Sequence, residues 1–119
     1  MAKLNPLSEA NVKNAIQTYL QLGVNQGKWE FIRIQSGNIF LKGGNKTYKI
    51  QLAETGYPDF VVFKSRLSKI RKSLVYFLEV KSTKGQITEE QIKMHKRLQA
   101  QGCYADVVRS VDEVMEILH

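Results

Sequence analysis

Apolar residues at Val12, Ala15, Ile16, Tyr19 and Leu20 recur at three- and four-residue intervals, the spacing that gathers side chains on one side of an α-helix. Asn5 or Ser8 can cap that helix, Pro6 is tolerated in its opening turn, and Gly23 offers a stop. From Trp29 the period shortens. Trp29 to Ile34, Ile39 to Lys42 and Thr47 to Leu52 are β-rich runs divided by Ser36-Gly37 and Gly43-Gly44-Asn45, which predicts antiparallel strands. Asp59 to Lys64 and Leu74 to Lys81 are more continuously apolar and read as the strands of a central sheet, joined by a hairpin loop or strand extension. Thr88 and Gln91 have capping-box spacing ahead of Ile92, His95 and Leu98, and Gly102 supplies a stop. Tyr104 to Arg109 reads as a short strand. Ser110 with Glu113 repeats the capping arrangement ahead of Val114, Ile117 and Leu118. The predicted order is α, several strands, α, β, α, without internal repeat or dividing linker. One α/β (α+β) domain over residues 1–119 follows, built on a single mixed sheet flanked by helices.

Composition narrows this without changing it. A chain of 119 residues, 43% hydrophobic, buries roughly two thirds of its unfolded surface and needs no staple. Cys103 is the only cysteine, which excludes a disulfide framework and a zinc site built on several thiolates. No apolar run reaches membrane-spanning length and the first residues carry no secretory signal, so a reduced, intracellular protein without a membrane partner is expected. Charge adds a partner class. Eighteen Lys and Arg oppose eleven Asp and Glu, and the excess lies between residues 42 and 97, where thirteen bases meet five acids. That block includes Lys64, Arg66, Lys69, Arg71 and Lys72, and it suits a polyphosphate whose condensed counterions are released on binding.

The chemically informative anomaly is Leu74-Val75-Tyr76-Phe77-Leu78-Glu79-Val80-Lys81, an apolar strand ending in two charges. A side-chain period of two projects Glu79 and Lys81 from the same face. Asp59 follows Gly56-Tyr57-Pro58 at the head of the preceding strand, so antiparallel pairing brings it beside Glu79 and Lys81. Two close carboxylates resist joint ionisation unless a divalent cation lies between them. Asp59 and Glu79 would hold Mg²⁺, the Val80 carbonyl is a further hard oxygen ligand, and Lys81 would orient water or offset transition-state charge. Phosphodiester hydrolysis is the chemistry that arrangement serves.

Pro58-Asp59 followed by Glu79-Val80-Lys81 resembles the motif of the PD-(D/E)xK nuclease superfamily, and more narrowly of the virus-type replication-repair nuclease (VRR-NUC) domain. The resemblance implies a restriction-endonuclease-like core and Mg²⁺, for which Mn²⁺ can substitute. It implies a third acid near the start of the first helix, where this chain has Glu9, seven residues before Ile16 and eleven before Leu20 and so on the apolar side. Arg33 and Ser36-Gly37 are similar to the family's arginine and Ser-Gly segment. Lys84-Gly85-Gln86-Ile87-Thr88 with Gln91 is similar to its glycine turn and helix-borne glutamine. His95 stands where relatives often carry tyrosine, and the basic segment between the strands is longer than usual. Arg33, Ser36, Lys64, Arg66, Lys69, Arg71, Lys72 and Lys84 are the expected DNA contacts. Small phage-encoded members resemble junction resolvases, which implies a homodimer acting on branched or four-way DNA in the cytoplasm of a phage-infected bacterial host. A basic binding module with a structural ion network, or a flap nuclease of the same fold, are the competing readings.

Overall fold

The computed structural model describes residues 8–65 and 72–119. Along the chain run α1 (Glu9–Asn25), β1 (Glu30–Arg33), β2 (Asn38–Gly43), β3 (Lys46–Gln51), β4 (Phe60–Ser65), β5 (Ser73–Val80), α2 (Glu89–Ala100), β6 (Tyr104–Val108) and α3 (Val111–Leu118). Ser8 is the first cap, its hydroxyl accepting the Asn11 N–H at 3.2 Å. Val12, Ile16 and Leu20 form the buried stripe of α1. The helix passes the expected stop at Gly23 because that glycine is a contact point. The Trp29 indole lies on it, a Cβ there would sit 2.1 Å from ring carbons, and the indole N–H donates to the Leu20 carbonyl at 2.9 Å.

The central sheet has the order β1-β4-β5-β6, antiparallel except for the parallel pair β5–β6. Phe60 opposes Leu78 and Val62 opposes Tyr76, so these four share a face. With Val80 and Val108 they pack under α1 and α3 as the main core. Val61 and Ala105 are buried too, and Met94 and His95 are the buried residues of α2. Thr88 and Gln91 complete their capping box as expected. Of the predicted face of α2, His95 is buried and Leu98 half-buried, but Ile92 is exposed and Met94 is buried in its place. Ser110 caps α3, but the Glu113 carboxylate accepts the Arg109 N–H at 3.0 Å instead of closing a box on Ser110.

The single sheet expected from the sequence is corrected in one respect. β2 and β3 form a separate two-stranded ribbon with every residue exposed. Alternating polarity states which residues share a face but not which strand lies alongside. Gly37 and Ala53 hold the base of the ribbon together, with Gly37 N–H donating to the Ala53 carbonyl at 2.9 Å and Leu52 N–H to the Gly37 carbonyl at 2.8 Å. The projection shows in a radius of gyration of 16.5 Å, against about 13.5 Å for a compact domain of this length. Among the described residues no helix is long and apolar enough to cross a membrane.

Candidate active site

The site forms where β4 and β5 part. Gly56 takes φ +102°, and a Cβ there would meet the Glu90 carbonyl oxygen at 2.8 Å, so only glycine lets this turn lie against the first turn of α2. Buried Pro58 then directs the chain into Asp59. Asp59 is held on both sides by its backbone. Its N–H donates to the Leu78 carbonyl at 3.0 Å, and its carbonyl accepts the Ile34 N–H at 2.8 Å. The ladder ends at Phe60–Leu78, one position short of Asp59 and Glu79, which therefore face each other across the opening. The Val80 N–H points into that opening and donates to Asp59 Oδ2 at 2.7 Å, a carboxylate replacing the missing strand.

Glu79 is only 3% exposed. Burial pushes its carboxyl up to about 7, the nearby His95 ring works against that, neighbouring Asp59 adds to it, and Lys81 opposes it. His95 Nε2 lies 3.9 Å from Glu79 Oε1, too far for a hydrogen bond, and both atoms are buried without one. Lys81 Nζ is 3.8 Å from Glu9 Oε1, and Lys13 Nζ is 2.9 Å from Asp59 Oδ1. Glu9 and Lys13, four apart on one ridge of α1, thus both reach the strand ends. Glu9 reaches the sheet from the rim of the opening, its side chain 46% exposed instead of buried with Val12 and Ile16. Lys13 is the site residue that sequence reasoning missed. Its i+4 spacing from Glu9 is the signal that would have found it.

Asp59, Glu79 and Lys81 converge as the strand pairing predicts. Among the described residues, however, no three His, Cys, Asp or Glu side chains form a ready metal cluster. The acids are turned to protein cations instead, Glu9 to Lys81 and Asp59 to Lys13. The donor set still suits a hard divalent ion, with two opposed carboxylates, one bearing a buried oxygen that no hydrogen bond satisfies.

The remaining predicted residues are dispersed. The Gln91 amide oxygen accepts the Thr88 N–H at 2.9 Å, which leaves its amide nitrogen to offer donors. Arg33 is exposed and donates to Gln17 Oε1 at 2.7 Å. Ser36 bridges Ala53 at the root of the ribbon. Lys64 donates to the Leu118 carbonyl at the end of α3, where a cation complements the helix terminus. Lys72 and Lys84 are exposed, and Arg66, Lys69 and Arg71 lie outside the described residues. A second residue that sequence reasoning missed is Arg109, whose Nη1 donates to the Ser82 and Gly85 carbonyls at 2.6 and 2.7 Å and so ties down the turn after Lys81. It is the lone base among residues 98–119, the one trace of it in the sequence.

The VRR-NUC domain family model matches residues 35–112, a span that contains Asp59, Glu79, Lys81 and Gln91 and stops short of Glu9, Lys13 and Arg33. A solved structure described as a VRR_NUC domain is similar at 17% identity with a TM-score of 0.56, covering 94% of this chain and 96% of its own. No protein of curated function matches this chain.

Proposed function

Because this chain belongs to the VRR-NUC domain family, whose members are DNA nucleases that generally use divalent metals, we propose that it is a Mg²⁺-dependent, structure-selective endonuclease that resolves four-way junctions as a homodimer. The observation that carries this reading is the opposition of Asp59 and Glu79 at the parted ends of β4 and β5, with Lys81 two residues on. Asp59 and Glu79 hold the ion, with Glu9 and the Val80 carbonyl as further oxygen donors. Bound there, a divalent cation polarises a non-bridging phosphate oxygen and lowers the pKa of water. Lys81 presents its ammonium to the scissile phosphate and offsets the charge that grows on it. Gln91 donates from its amide nitrogen to the phosphate or the attacking water. Arg109 keeps the 82–85 turn, with Lys84, beside Lys81. A chain with one such site cuts a junction symmetrically only when a twofold axis supplies a second, which favours the dimer.

The test is cleavage of a labelled four-way junction beside flap, duplex and single-stranded substrates in Mg²⁺, Mn²⁺ and chelator, with the oligomeric state read by light scattering. Paired, symmetric nicks on the junction are expected, abolished by chelator and reduced about 10³-fold in Asp59→Ala and Lys81→Ala. The ion pairs Lys13–Asp59 and Lys81–Glu9 favour the competing reading of a structural network in a binding module. Junction binding without cleavage in either metal would establish that reading in place of ours.

A further inference from the structure

The β2–β3 ribbon is large for a feature that no helix covers. Its cross-strand register sorts it into two unlike faces. Ile39 opposes Ile50 and Leu41 opposes Tyr48, giving one apolar face. The other carries Asn38 opposite Gln51, Phe40 opposite Lys49 and Lys42 opposite Thr47. Phe40 is 66% exposed, more than any other large apolar residue of the described chain. Residues 36–53 contain Lys42, Lys46 and Lys49 and no acid. Lys42 and Lys49 are diagonal neighbours on one face, about 7–8 Å apart, and two like charges so placed repel unless an anion lies over them.

The position of this face matters as much as its charge. The ribbon leaves the sheet after β1 and returns immediately before Asp59, so it is rooted at the end of the sheet where the carboxylates stand. Asn38 and Gln51, the base of the lysine face, line a cleft of about 470 Å³ whose far wall is α2, with Glu90, Lys93 and Arg97. That wall is charge-balanced, Arg97 pairing with Glu54 at 3.1 Å, and the positive excess lies on the ribbon. We propose that the β2–β3 ribbon is a DNA-binding arm whose Phe40, Lys42 and Lys49 face lies along the sugar–phosphate backbone and guides the strand through the α2 cleft toward Asp59. The lysine diagonal matches the spacing of neighbouring phosphates along one strand, and Phe40, beside both lysines, offers a surface for sugar or base. This rests on DNA being the substrate and extends it to residues outside the acidic site.

Binding is measured by fluorescence anisotropy of a labelled four-way junction and duplex with the full chain in chelator, across a range of salt. It is therefore independent of whether the protein cleaves. Lys42→Gln/Lys49→Gln is expected to flatten the slope of log affinity against log salt by about 1.8, and Phe40→Ser to weaken binding at least threefold without changing the slope. Circular dichroism confirms that both variants are folded, as exposed positions allow. Unchanged affinity and slope in both would overturn the arm. So would loss of the oligomer together with binding in Leu41→Ser/Tyr48→Ser while the lysine variant binds normally, because the ribbon would then serve a second copy of the chain. If wild-type protein binds through the ribbon yet cuts nothing, the nuclease reading fails and the arm stands.

Discussion

β4–β5 and β2–β3 are both antiparallel pairs six residues deep, yet one is the heart of the molecule and the other touches almost only solvent. The difference lies in what flanks them. β4 reads Phe60-Val61-Val62, apolar on consecutive positions, and such a strand is stable only when both faces are covered. β3 alternates, and although β2 carries Ile39-Phe40-Leu41 on consecutive positions, the pair lies between segments that turn away from the sheet instead of helices that would cap it, so those residues stay exposed. An isolated two-stranded ribbon is marginal in water. A marginal element retained beside the acids points to use, and the buried pair to support.

Stability measurements break this contrast most directly. Phe60 is fully buried, and Phe60→Ala is expected to cost about 3–5 kcal/mol by urea unfolding. Leu41→Ala on the ribbon, where Leu41 is 51% exposed, should stay within about 0.5 kcal/mol. Comparable losses at both positions would mean that the ribbon is part of the cooperative fold, and the division drawn between scaffold and arm would be wrong.

Much of the scaffold was legible in the sequence because it is written in local rules. Ser8 and Thr88 announce helices, and the apolar stretches before and after the basic segment announce paired strands. The convergence of Asp59 with Glu79 follows from side-chain period and antiparallel direction alone. What escaped depends on choices that local rules leave open. The β-rich run Ile39 to Lys42 calls for a strand but does not name its partner. The partners of His95 and Arg109 are set by how α2 and β6 dock, which no spacing within either element records. Lys13 looked like an ordinary exposed residue of an amphipathic helix until α1 was laid across the strand ends.

Acidity sharpens the contrast from the other side, since the buried pair carries a titrating group and the ribbon none in that range. Glu79 has its folded pKa raised to about 7 from 4.5, so between those values the folded protein holds a proton that the unfolded chain has lost. Stability from this group is therefore greatest below about pH 4.5, falls as pH rises toward 7, and levels above it. The melting temperature of metal-free wild type relative to Glu79→Gln should drop over that window by an amount of order 10 °C. Added Mg²⁺ should raise the wild-type melting temperature more at pH 8 than at pH 6, because the ion takes the deprotonated pair. A difference that stays flat with pH would remove Glu79 from the titrating centre.

A smaller effect than those at Phe60 and Glu79 is expected at Lys13. Its ammonium is 2.9 Å from Asp59 Oδ1, so a cation entering between Asp59 and Glu79 shares that oxygen with a charge already present. Lys13→Met keeps the length of the side chain and deletes the charge. At the partly exposed rim the relief is on the order of 1 kcal/mol, about fivefold in affinity, and Mn²⁺ binding followed calorimetrically should tighten by that factor. The ribbon provides the control. Lys46→Met removes a lysine of equal charge from its tip and should leave Mn²⁺ affinity unchanged. If both substitutions tighten binding alike, the gain reflects net charge and Lys13 holds no special place beside Asp59. If neither does, the acids do not gather an ion, and the parted strands carry an ion network alone.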